Sequence, residues 1–346
     1  MGTVYSIDPT QDPRWAEFVS RNEQSSIFHT REWLLALRHT YRYDPIVFTT
    51  TSPAELQIAN GIVFCQVSSW LTGRRLVSLP FSDHCQPLVS GAADLAVVLK
   101  SLEGCRKWKY VELRPATDDM LRALRTTFNK SESFQFHKID LRPTLHAIYQ
   151  TLHDSCIRRK IKKAEREGLA YEVGRSDLLL AKFHHLLLLT RRRHQLPPQP
   201  LGWFRNLVGF LASGLTIRVV SYGAVPIASM ITLLHKNTLT YKYGCSDARF
   251  HNLGAMPWLF WRAIQESKEL GATEFDLGRS DPADAGLLAF KGHLGAVRSE
   301  LNYYRSPGVP VRSAAGSGAA LLRQTYARMP DLVFAGMGRL VYRHLG

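Results

Sequence analysis

The stretch with the clearest chemical potential is Arg249-Phe250-His251-Asn252-Leu253-Gly254-Ala255, set between an apolar alternating run and the start of a helical pattern. Backbone N–H groups and the helix dipole favour a phosphate at such a junction. Arg249, Asn252 and Gly254 are its candidate contacts, with an ordinary strand-to-helix turn as the plain alternative. Asp83 and His84 end an earlier strand and offer a carboxylate and an imidazole for proton transfer; a surface histidine is the competing reading. The five cysteines (Cys65, Cys85, Cys105, Cys156, Cys245) are odd in number, widely spaced and without a CxxC pair. Neither a disulfide framework nor a zinc site is expected, and a reducing compartment is. None of the thirteen histidines stands in an HExxH pattern, and adjacent His184 and His185 cannot both face one ion from a helix. Metal catalysis is therefore not expected.

Charge is the unusual global property. Forty-four Lys and Arg against twenty-nine Asp and Glu leave +15 over 346 residues, a balance that attracts polyanions. Residues 156–194 alone hold eleven Lys and Arg against four acids, a balance of +7. Within them Ile157, Ile161 and Ala164 form one narrow apolar stripe, so a helix over 155–167 presents Arg158, Arg159, Lys160 and Lys163 around a single buried line. Such a face docks on tRNA phosphates, an anionic membrane or a pyrophosphate-linked lipid, or it is simply solvated.

These residues need a scaffold. The 45% hydrophobic composition excludes a disordered chain or a fibre, and the length suits two domains of about 150 residues. No run approaches the roughly 20 apolar residues of a membrane span, and the first residues lack the basic and apolar regions of a signal peptide. A cytoplasmic protein is expected, soluble or at most peripheral to the inner face of the membrane. Periodicity predicts helix over 15–40, in one or two pieces, then strands at 45–50, 60–70 and 75–80. A helix at 92–105, a strand at 109–113, a helix at 118–128 and a strand at 134–141 follow. After the basic helix comes another over 177–194, stopped by Pro197-Pro198. Strands at 216–220, 227–234 and 238–243, a helix at 256–270 and a strand at 274–277 complete the pattern. Asp83 precedes Glu112 by 29 positions and Asp247 precedes Asp276 by 29, each pair spanning strand end, loop, helix and strand. This spacing points to a duplicated α/β unit, with two unrelated α/β halves as the plain alternative.

The Arg-x-x-Asn-x-Gly spacing of 249–254 resembles the pyrophosphate loop of GNAT acyltransferases, with Asn252 where close backbone approach wants glycine. The ordered set Arg159-Lys160-Ile161-Lys162-Lys163-Ala164, Thr190-Arg191-Arg192-Arg193-His194, Tyr241-Lys242-Tyr243-Gly244, Phe275-Asp276-Leu277-Gly278-Arg279-Ser280 and Phe290-Lys291 resembles the Fem-type transferases over residues 15–304. That family comprises peptidoglycan-bridge aminoacyltransferases and exopolysaccharide-associated relatives.

The resemblance implies an α/β (α+β) fold of two tandem GNAT-like domains, each a mixed, mostly antiparallel sheet flanked by helices. The domains are expected at 1–142 and 143–306, with a basic amphipathic tail at 307–346. It implies an acyl- or aminoacyltransferase acting on an amine or hydroxyl of a cell-envelope saccharide precursor. The donor is acyl-CoA or aminoacyl-tRNA, no cofactor is held tightly, and the acceptor is a phosphate-bearing or lipid-linked saccharide. Phe290-Lys291 matches a pair beside the acceptor, where the lysine stabilises the oxyanion of amine attack or clamps a phosphate; a surface lysine in a loop is the alternative. Arg192 and, more weakly, Thr190 match acceptor-phosphate contacts. Tyr241 and Tyr243 alternate along a strand and so share one face, lining the acceptor groove or the core. Leu196 stands where the family has tyrosine, which puts acceptor identity in doubt.

Arg279 is a further substrate contact or pairs with Asp247 or Asp276. The apolar and arginine residues of 319–345 suit an anionic leaflet or packing on the first domain, and Pro330 divides them into two helical pieces. A non-catalytic basic adaptor binding nucleic acid or membrane is the alternative function.

Overall fold

In the computed structural model, residues 2–105, 107–308 and 330–345 are described. They fall into two compact units, residues up to 134 with 300–308 and 340–345, and residues 135–299 with 330–339. Residues 135–142 thus group with the second unit and 300–306 with the first, whereas the sequence places both the other way.

In the first unit the helix expected over 15–40 is two. α1 (Pro13–Arg21) is capped by the Asp12 carboxylate and α2 (Arg31–Tyr41) by the Thr30 hydroxyl, each supplying an acceptor for a first-turn N–H. β1 (Tyr5–Ile7), β2 (Asp44–Thr49), β3 (Ile62–Ser69) and β4 (Gly73–Ser78) form an antiparallel run. α3 (Ala92–Leu102) then returns the chain so that β5 (Tyr110–Leu113) lies parallel to β4. Ile62, Phe64, Leu76, Leu95, Leu99 and Val111 meet in the core. The expected helix over 118–128 is only one turn and a half, α4 (Asp119–Ala123), because β6 (Asn129–Asp140) begins earlier than its apolar residues indicate.

The second unit repeats this order. After α5 (Leu145–Thr151) and a π-helical turn (Asp154–Arg158) come α6 (Arg159–Arg166), β7 (Ala170–Gly174), α7 (Asp177–Arg193) and α8 (Leu201–Leu211). β8 (Leu215–Tyr222), β9 (Val225–His235) and β10 (Thr238–Ser246) are antiparallel neighbours. α9 (Ala255–Glu269) carries the chain back to β11 (Glu274–Ser280), parallel to β10. α10 (Ala285–His293) and β12 (Val297–Ser306) follow. β6 closes the second unit by pairing antiparallel with β11, and Tyr304–Ser306 of β12 pair with β5 of the first. Each unit is therefore completed by a strand from the other end of the chain.

One face of the second sheet packs on α6 and α9, burying Ile161, Ala164, Leu259, Phe260 and Ile264. The other packs on α7 and α8, where Phe183, Phe204 and Tyr243 meet edge to face. Residues 309–329, with the first predicted tail piece, lie outside the described residues. The second piece is α11 (Asp331–Leu345), beginning just after Pro330. Phe334 is fully buried, and Tyr342 packs on Phe81 while its carbonyl accepts the Tyr43 hydroxyl. Those apolar residues of the tail thus serve packing on the protein itself, whereas Val333 and Leu340 stay exposed.

Candidate functional site

The site grows from a defect in the second sheet. β10 and β11 are in register only at Thr238↔Glu274, Leu239↔Phe275 and Thr240↔Asp276. Immediately beyond, each strand bulges against its other neighbour, β10 between Tyr241 and Tyr243 and β11 between Asp276 and Arg279. A bulge inserts one residue, bends the strand and leaves ladder groups unpaired. Two parallel strands that bulge where their pairing stops diverge beyond it.

The β11 bulge is built by its own residues. The Asp276 carboxylate accepts the Gly278 N–H at 2.7 Å, and Gly278 takes φ 70°, which suits glycine. Lys291 Nζ then donates to the carbonyls of Gly278 and Arg279 at 2.9 and 3.3 Å. Lys291 is only 3% exposed and lies on α10, so it is neither a surface lysine nor in a loop. Phe290, its neighbour, packs on Phe260 in the core. Opposite the bulge stands His137, 1% exposed. Burial first, then the charges of Lys291 and Arg298, lower its pKa to about 4, so the imidazole is neutral near pH 7.

The β10 bulge corrects the sequence reading of the two tyrosines. The inserted residue puts Tyr241 and Tyr243 on opposite faces: Tyr241 rests on Phe260 of α9, and Tyr243 on Phe183 and Phe204. The Tyr243 hydroxyl accepts the Trp203 indole N–H at 2.7 Å. The Tyr241 hydroxyl occupies the space a Cβ would need at Gly244, so this bend requires glycine.

At the end of β10, the Thr190 hydroxyl accepts from the Ser246 N–H and donates to the Ser246 carbonyl, fastening α7 to the strand. The Ser246 hydroxyl lies 2.9 Å from His251 Nε2, and an Arg193 guanidinium nitrogen lies 3.4 Å from the same nitrogen. Burial, then Arg193 and Lys160, hold the His251 pKa below its usual range against the opposing pull of Asp247. The Asp247 carboxylate is engaged by Arg249, whose guanidinium forms a short ion pair at 2.6 Å. Arg249 is thus committed to its own loop, and Asp247 is engaged by it rather than by Arg279.

The predicted phosphate loop takes an unexpected place. Gly254 has φ 78°, and a Cβ there would run into the Lys160 carbonyl. The start of α9 is covered by α6, while Asn252 is exposed one turn away. The basic helix presents exposed Lys160, Lys162 and Arg166, with Lys163 half-buried; Arg158 and Arg159 reach back to Asp154. The Arg192 guanidinium lies over the Phe334 ring. Asp83 and His84 belong to the first unit, where the Asp83 carbonyl accepts the Tyr303 hydroxyl and His84 packs edge-on against Phe28. Lys291, Thr190, Tyr241, Tyr243 and Arg279 therefore gather around β10 and β11. His137, Arg193, Ser246 and His251 are neighbours that spacing did not single out.

With this geometry in view, residues 153–291 match the model of the acetyltransferase (GNAT) domain family. The chain also has the fold of FemX, at 13% identity and a TM-score of 0.67, covering 88% of this chain and 96% of that one. A C-terminal domain assigned to a lysylphosphatidylglycerol synthetase of Agrobacterium fabrum is similar at 14% identity and TM-score 0.54, over 90% and 94% of the two chains. A tandem GNAT protein of clavulanic acid biosynthesis is similar at 8% identity and TM-score 0.53, over 88% and 98%. No curated protein sequence matches the chain. The Fem-type, tandem GNAT fold expected from the ordered motifs is the fold observed. Among the described residues no helix is long and apolar enough to cross a membrane.

Proposed function

We propose that the protein transfers an acyl or aminoacyl group to an amine or hydroxyl of a phosphate-bearing cell-envelope precursor, an exopolysaccharide or lipid-linked sugar. The observation that carries this is the double bulge at the divergence of β10 and β11, with Lys291 held beneath it. A carbonyl placed beside the bulges lies near the Lys291 ammonium, whose charge favours the negative oxygen that forms as the acceptor attacks. The attacking nucleophile forms a bond to the acyl carbon, the thioester or ester bond breaks, and the proton leaves the nucleophile for a base or for water.

Lys160, Arg193 and His251 supply positive or hydrogen-bonding groups near the end of β10 for a phosphate. Acyl-CoA is the co-substrate of GNAT domains. Coverage of the α9 start by α6 supports a donor whose phosphates are held elsewhere, an aminoacyl-tRNA among them. The names of FemX and of the lysylphosphatidylglycerol synthetase domain favour an envelope acceptor, reached at the cytoplasmic face of the membrane. Arg192 and Tyr243 are proposed acceptor contacts, and Arg159 and Lys160 polyanion contacts.

The test incubates purified protein with radiolabelled acyl-CoAs or charged tRNAs and a membrane extract. Label should move to a lipid- or sugar-containing product. RNase will abolish transfer if tRNA is the donor and leave it intact if CoA is. Folded protein that labels no extract component refutes the proposal.

A further inference from the structure

A cluster outside the bulges joins residues far apart in the sequence. His153, Cys156 and His293 each offer one ligand atom, and the three atoms lie within 4.8 Å of one another. His153 precedes the π-helical turn that carries Cys156, and His293 ends α10. The main chain fixes them: the His153 N–H donates to the His293 carbonyl at 2.9 Å, and the two imidazole rings stand 4.4 Å apart. Gly295, just past His293, sits so close to Thr151 that a side chain there would strike the Thr151 hydroxyl. The two segments are therefore locked at short range on both sides of the cluster.

We infer that this cluster binds a divalent metal of borderline softness, of the zinc class, through one nitrogen of His153, one nitrogen of His293 and the Cys156 thiolate. Two imidazoles and a thiolate are the donor set that zinc takes and that calcium or magnesium refuses. Zinc ligand bonds run to about 2.0–2.3 Å, which brings tetrahedral ligand atoms to under 4 Å of one another. Closure from the present spacing requires only side-chain rotation, because Cys156 and both histidines are partly open to solvent. His153 Nδ1 now accepts the Cys156 N–H at 3.3 Å. If Nδ1 takes the metal, the Cys156 N–H gives up that acceptor and Nε2 keeps the ring proton. On binding, the thiol proton leaves to solvent and no electron is transferred. Three protein ligands leave a fourth position for water. Since the turn leads straight into α6, the ion pins the basic helix to the end of α10, the helix that bears Lys291.

The test uses the full chain, freed of metal with chelator and titrated with Co2+ and then Zn2+. One equivalent of cobalt should produce a thiolate-to-cobalt charge-transfer band and the intense d–d bands of tetrahedral cobalt, both lost on adding zinc. Cys156→Ser should abolish the charge-transfer band, and His293→Gln should weaken affinity at least tenfold; Cys105→Ser should change nothing. In the wild type, zinc should protect Cys156 from alkylation, read by peptide mass spectrometry, with no variant needed. A charge-transfer band that survives in Cys156→Ser, or Cys156 alkylated equally fast with and without zinc, overturns the inference.

Discussion

Replacing Lys291 by methionine separates a charge kept for chemistry from one kept for the fold. Lys291 Nζ donates to two carbonyls, at 2.9 and 3.3 Å, from a site 3% exposed. Hydrogen bonds from a charged donor contribute about 1.5–3 kcal/mol each, and the longer of these two lies at the weak end. Burying the ammonium opposes that gain by several kcal/mol. Methionine fills a similar volume; the two carbonyls left without a donor cost about 1–3 kcal/mol each, and no longer burying an ammonium offsets much of that, so the net loss should stay within about 2 kcal/mol. The effect on catalysis should be larger. Removing one group that faces a developing oxyanion typically costs about 2.7–4 kcal/mol, a fall of roughly 10²–10³ in turnover. Urea unfolding gives the first quantity and transfer rate at saturating donor and acceptor gives the second. A folded Lys291→Met protein with unchanged turnover would refute the reasoning, as would one whose activity loss simply follows its unfolded fraction.

In the first unit Glu112 is 1% exposed and receives Arg114 at 2.6 Å and Arg305 at 2.5 Å. Glu112→Gln should destabilise by about 3–5 kcal/mol in urea at pH 7, since it leaves two arginines without their carboxylate. Burial works to raise the Glu112 pKa, but the two arginines prevail and it is lowered. The carboxylate's contribution is thus complete above the unfolded value near about 4.3 and fades as pH falls through the folded one. The gap between wild type and variant should narrow in urea series run at progressively more acidic pH. Charge reversal of Lys160 and Arg193 together should raise the KM for a phosphate-bearing substrate and flatten its salt dependence, with turnover at saturation preserved. Gly244→Ala should destabilise by about 1–3 kcal/mol, because the Tyr241 hydroxyl must move; adding Tyr241→Phe should restore part of the loss.

The sequence carried the order of elements well where periodicity and caps were clean. The strands at 227–234 and 238–243, the helix at 256–270 and the 29-residue repeat all have their counterparts in β9, β10, α9 and the two parallel strand pairs. It carried the site less evenly. Asp276 and Gly278 sit in a run whose alternation continues unbroken, and nothing in that run announces a bulge that turns two carbonyls toward Lys291. The same blindness to an inserted residue put Tyr241 and Tyr243 on one face. α8 was missed because Gly202 and Gly209 dilute its helical pattern, and its stability comes from burying Trp203 and Phe204 against the sheet. His153 and Cys156 are near in sequence, but His293 reaches them only through the fold, so spacing alone holds no trace of that cluster.

The exchange of closing strands governs how the nascent chain can assemble. While β1 to β5 emerge from the ribosome, the edge of β5 lacks its neighbour, for Leu113 must wait for Tyr304. β6 meanwhile emerges next and must remain unpaired until β11 arrives to meet it. Late, non-local pairing of this kind slows folding and leaves strand edges open to wrong partners. It also means that no single cut in the polypeptide releases a self-sufficient half. A gene that lost either copy of the repeat would lose the last strand of the other.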